Sequence, residues 1–140
     1  MKVVSLASVR GAPGVTTTAI LLASTFTDGL LVEADLDGGV LAVRYGLGRE
    51  PGLTTFAAGG PDTDGGWRAH AQDAGGVPVL VGPDAPAAST SVWRTAGERI
   101  THKLVAADGV AIVDAGRLRS PVPIVAASDL LAVFVNPVAD

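Results

Sequence analysis

The chain has 140 residues, 48% of them apolar and 17% charged, a formal net charge of −4 and no cysteine. That length supports one domain with a genuine core, and the composition excludes a disordered chain. The mild acidity offers no electrostatic footprint for nucleic acid. The missing cysteines exclude disulfides, cysteine-ligated metal and a thiol nucleophile, which fits a cytoplasmic protein.

The first element, "KVVSLAS" (2–8), is too short and too weakly apolar for a signal-peptide core and predicts a buried strand. "RGAPGVTTT" (10–18) has the outline of a phosphate-binding loop, and "TTTAILLASTF" (16–26) suits the helix behind it. "GLLVEA" (29–34) predicts a second strand, which runs into the turn sequence "DLDGG" (35–39). Residues 57–76 are glycine-rich and polar, so an extended or mobile segment is expected there, or a short helix around 67–73. "VPVLVG" (77–82) predicts a third strand, and in 89–107 Trp93, Ala96, Ile100 and Leu104 recur at helical spacing. "GVAIVDA" (109–115) and "DLLAVFVN" (129–136) complete the set.

These strands are apolar throughout instead of alternating, the pattern of strands buried on both faces of a parallel sheet. Strand and helix alternate, which predicts an α/β fold with right-handed crossovers, a three-layer open parallel sheet with helices on both faces, in a single domain. The loop would then lie at the carboxyl end of the first strand, where such sheets bind ligands. No run reaches the roughly 18 to 20 apolar residues of a membrane-spanning helix, and no membrane-targeting segment stands out.

A phosphate loop works by pointing successive backbone N–H groups into one concavity at a helix N-terminus, where the dipole also favours an anion. Gly11 and Gly14 are placed for such a turn, Thr16 for a hydroxyl on Mg²⁺, and Thr17 for a phosphate oxygen. Three residues depart from the pattern. Pro13 removes a donor, Ala12 adds a β-carbon, and Val15 stands where the phosphate-gripping lysine belongs. The competing reading is a plain strand-to-helix turn in which Thr16 or Thr17 caps the helix.

The wider pattern resembles the ParA/MinD family of deviant P-loop ATPases. Their loop reads K-G-G-x-G-K-T-[ST], and Arg10-Gly11-Ala12-Pro13-Gly14-Val15-Thr16-Thr17 aligns with it position by position. "LLVEADLDGG" (30–39) resembles their second strand and first switch, with Glu33 and Asp35 on its two acids. "VAIVDAG" (110–116) resembles the strand ending in an aspartate, with Asp114 on that acid and Gly116 in the second switch, and "SDLLAVFVNP" (128–137) resembles the strand that follows. The resemblance implies an ATP-driven dimerising switch with Mg²⁺. Asp35 would position the attacking water, Thr16 would ligate the metal, and Asp114 would hold it through water. Arg10 would stand in for the signature lysine that reaches the partner subunit's phosphate. It also implies further strands and helices beyond this stretch that supply the adenine pocket, so the domain of residues 1–140 is expected to be incomplete at its C-terminus.

Two functional expectations follow. One is a ParA/MinD-like nucleotide-binding protein of the partitioning or positioning type, forming a homodimer and recruiting a protein partner, with hydrolysis slow or absent because of Val15. The other is a pseudo-ATPase scaffold that binds partners without nucleotide. A dinucleotide-binding reading, with Glu33 on a ribose hydroxyl, is disfavoured because Gly-x-Gly-x-x-Gly is not met. Asp37 is expected to serve the turn. His70 and His102 are expected in solvent, Trp93 in the core, and Trp67 and Phe56 at a partner surface if the middle segment is mobile.

Overall fold

A computed structural model describes residues 1–59, 66–120 and 122–137. The elements in chain order are β1 (Lys2–Ser8), α1 (Val15–Ser24), β2 (Gly29–Glu33), α2 (Leu41–Tyr45), α3 (Leu53–Ala58), a 3₁₀ turn (Gly66–His70), β3 (Gln72–Ala74), β4 (Val77–Leu80), α4 (Pro86–Val105), β5 (Val110–Arg117), α5 (Pro123–Ala126) and β6 (Leu130–Phe134). The six strands form one sheet in the order β3-β4-β2-β5-β1-β6. All neighbours pair in parallel except β3 and β4, which form an antiparallel hairpin at one edge. The sheet is therefore mixed at that edge instead of wholly parallel.

Strand alternation explains the layers. Leu30 and Val32 of β2, with Ala111 and Val113 of β5, point to one face, where Trp93, Ile100 and Leu104 of α4 and Leu53 and Phe56 of α3 cover them. Leu31 and Ile112, one residue out of phase, point to the other face and meet Val15, Ala19 and Ala23 of α1 and Leu41 of α2. Both faces of β2 and β5 are thus buried, which is why those strands carry no polar alternation. Local residues set the boundaries: Gly14 with φ 97° turns the chain into α1, and Pro86 occupies the first turn of α4, where its missing N–H is harmless.

Three expectations fail. β6 reads as a strand buried on both faces, but it lies on the sheet edge beside β1, with Leu130 59% and Val133 43% exposed. Trp67 and Phe56, expected at a partner surface, are buried in the core beside α4. His70, expected in solvent, packs edge-on against Phe56 and bonds Thr55 Oγ1 through Nδ1 at 2.9 Å, whereas His102 is exposed as expected. Among the described residues of the middle segment, the 3₁₀ turn overlaps the first part of the stretch where a short helix was the alternative, and β3 takes the end of it. No helix among the described residues is long and apolar enough to cross a membrane.

Candidate functional site

β1, β2 and β5 all end on one edge of the sheet, and the loop between β1 and α1 rises over it. Gly11 and Gly14 both take positive φ, 69° and 97°, conformations that L-residues rarely adopt. Neither threonine caps the helix: the N-cap is Gly14, with no side-chain cap bond. Thr16 instead points its hydroxyl at Asp114, Oγ1 donating to Oδ2 at 2.6 Å. Among the described residues, the backbone N–H groups of Gly11, Ala12, Gly14, Val15, Thr16 and Thr17 have no protein acceptor. The simple turn reading is therefore not what the side chains do, and the helix N-terminus stays open to an anion.

The acids gather beneath and beside this loop. Asp114 is buried at the end of β5 and accepts the Gly116 N–H on its other oxygen at 3.0 Å. Asp35 accepts the Asp37 N–H at 2.9 Å, and its backbone carbonyl accepts the Ser89 hydroxyl at 2.7 Å, which ties the turn to α4. Gly116 has φ +56°, and a β-carbon there would run into the Asp35 carboxyl, so glycine lets the segments after β2 and β5 touch. Burial pushes both Asp35 and Asp114 above the usual carboxylate range, and their hydrogen bonds pull the other way.

Glu33 has a different job. It is buried at the end of β2 and accepts the N–H groups of Leu41 at 3.0 Å and Gly82 at 3.2 Å, joining β2 to α2 and to the segment after β4. Burial, only partly offset by those bonds, raises its carboxyl to about 7. It does not border the cleft, so a ribose-binding role has no support in the geometry.

The cleft over the loop measures about 420 Å³ and is lined by Gly11, Ala12, Gly14, Val15, Thr16, Thr17, Asp35 and Asp37 together with Arg44, Arg117 and Arg119. Arg10 and Pro13 are exposed and lie outside the lining. Asp114 sits below it, within reach through Thr16. Val15 is only 5% exposed and packs with Leu6, Ala19 and Leu31, so the position where the resemblance expects a lysine is part of the core. The three arginines were not singled out from the sequence, because no local motif surrounds them and only the topology brings them here. A larger hollow of about 580 Å³ lies beside Trp93, Arg94 and Glu98 on α4. It is bordered neither by the loop nor by Asp35.

No cluster of three or more metal-ligating side chains exists among the described residues. The Thr16 hydroxyl and the Asp114 carboxylate are nevertheless adjacent hard oxygens. That sparse pair fits Mg²⁺, which keeps much of its water and takes few protein ligands when phosphate supplies others.

No protein-family model matches the chain, and no curated protein matches it. Solved structures do. The chimerical protein CapA2B2 aligns over 99% of this chain and 64% of its own, at 17% identity and a TM-score of 0.67. The VpsO kinase domain aligns over 94% and 68% at 18% identity, TM-score 0.63, and Cyanthece apo McdA over 95% and 57% at 22% identity, TM-score 0.60. The chain thus spans between about half and two thirds of the length of these neighbours. At such identities the likeness shows the fold: an α/β sheet of the P-loop kinase and ATPase type, with the loop at its carboxyl edge.

Proposed function

We propose that this chain is a ParA/MinD-like nucleotide-binding protein of the partitioning or positioning type that takes ATP with Mg²⁺ at the loop of residues 10–17, with hydrolysis slow or absent. The observation that carries the reading is the Thr16–Asp114 hydrogen bond at the open N-terminus of α1, which sets a metal-suited hydroxyl and its outer carboxylate side by side. The free N–H groups of Gly11, Ala12 and Gly14 to Thr17 cradle phosphate oxygens, and Gly11 and Gly14 let them approach. Thr16 and, through water, Asp114 would hold Mg²⁺, which would supply positive charge against the phosphates. Asp35, at the cleft wall, orients the attacking water. Arg10, exposed beyond the wall, is free to reach the phosphate of a second copy in a homodimer.

Val15 limits turnover. Loss of a charged group that contacts the transferring phosphoryl costs on the order of 2 to 4 kcal/mol of transition-state stabilisation, or about 30- to 1000-fold in rate. Its burial in the core, with the donor lost at Pro13, favours a second reading, a scaffold that keeps the sheet for protein partners and binds no nucleotide.

Calorimetric titration of the folded chain with ATP and Mg²⁺, beside ADP, separates the two. Saturable binding that favours ATP supports the switch. No heat at millimolar nucleotide leaves the scaffold. Val15→Lys sharpens the result: a gain of about tenfold in ATP binding, or in turnover, would support the switch.

A further inference from the structure

Val15 costs the loop its cation, yet the cleft is not short of cations: Arg44, Arg117 and Arg119 all line it. Arg119 is engaged, its Nε pairing with Asp37 at 2.9 Å. The guanidiniums of Arg44 and Arg117 make no hydrogen bond or ion pair with any described residue. They come from two elements, the last turn of α2 and the end of β5. Arg117 lies across the loop, since a methyl group at Gly11 would come within 3.1 Å of its Nη2. Arg44 is near enough for its charge to act on Asp114. Two unpaired guanidiniums therefore border the same space as the unpaired N–H groups of the loop.

Resting on the phosphate-binding reading above, we propose that Arg44 and Arg117 replace the missing loop lysine, and that the cleft is a polyphosphate site whose anion is gripped by these two forks from neighbouring elements. A guanidinium offers bidentate, charge-assisted bonds to phosphate oxygens, so two of them match a chain of phosphates better than one ammonium would. The arrangement also explains why Val15 can sink into the core: the charge has moved from the loop to the cleft walls. Affinity in such a site follows the number of linked phosphates and weakens with added salt.

Inorganic tripolyphosphate tests this without involving a base. The wild type, Arg44→Gln, Arg117→Gln and the control Arg94→Gln, a substitution of an exposed cation on α4, are each titrated with tripolyphosphate and, in parallel, with ATP and Mg²⁺. Arg44 and Arg117 are exposed, so their variants should melt at the wild-type temperature. Each should bind tripolyphosphate about tenfold to a hundredfold more weakly, with Arg94→Gln unchanged. If the wild type binds ATP and both arginine variants match it on both ligands, the arginine role is overturned while the proposed function stands. If the wild type binds neither ligand, both fall.

Discussion

The two edges of the sheet treat their polar groups differently. At the amino edge the terminal ammonium donates to the carbonyls of Leu104, Val105 and Ala107, and the Val3 N–H donates to Asp129 Oδ2 at 2.8 Å. At the carboxyl edge the six loop N–H groups and two guanidiniums have no partner among the described residues, while Asp35 stands at the cleft wall and Asp114 below the loop, both carboxyls raised by burial. Buried polar groups need a partner inside the protein, whereas exposed ones are left to water or a ligand. The contrast teaches that the carboxyl edge keeps its donors open to solvent, as the proposed phosphate site requires.

Acid titration should break the contrast most strongly. Glu33 holds its proton up to about pH 7 in the folded chain, against 4.5 as the ordinary value. Between those values the folded state binds the extra proton, so stability falls as pH rises through that window and levels off above it, by about 3 kcal/mol in total. Asp35 and Asp114 push in the same direction. Urea melts from pH 4.5 to 8 should show the slope in the wild type and a shallower one in Glu33→Gln; equal slopes would remove Glu33 as its source. Next comes Gly116→Ala, which strains a residue at φ +56° and drives a β-carbon into Asp35. It should cost about 2 kcal/mol and abolish ATP binding, readable from melts and calorimetry. Asp129→Ala, at the satisfied edge, orphans the buried Val3 N–H. A loss of about 1 kcal/mol with nucleotide binding unchanged is expected. The smallest effect belongs to Arg119→Ala, whose pair with Asp37 is half exposed, and chemical denaturation should move by less than about 0.5 kcal/mol.

Much of the scaffold was legible because buried parallel strands write themselves as unbroken apolar runs: 2–8, 29–34, 77–82 and 109–115 each fall on a strand, give or take two residues. α2 and β3 were not legible, since five and three residues beside glycines carry no usable period. β6 misled, because an apolar run does not say whether its neighbours cover it. At the site, local motifs placed Gly11, Gly14 and Thr16 at the loop and Asp35 at the cleft wall. The roles assigned to them remain part of the proposal. Arg44 and Arg117 escaped because they are 73 residues apart in the chain and meet only through the order of β2, β5 and β1. Thr16 could be read as a cap or as a metal ligand from the sequence; its hydroxyl bonds Asp114 and caps nothing.

The most direct measurement of the central claim is amide hydrogen exchange, residue by residue, on the folded chain with and without ATP and Mg²⁺. The account expects the amides of Gly11, Ala12, Gly14, Val15, Thr16 and Thr17 to gain protection as phosphate takes their N–H groups, while Val3 at the satisfied edge does not change. Unaltered exchange across the loop at millimolar nucleotide would contradict it.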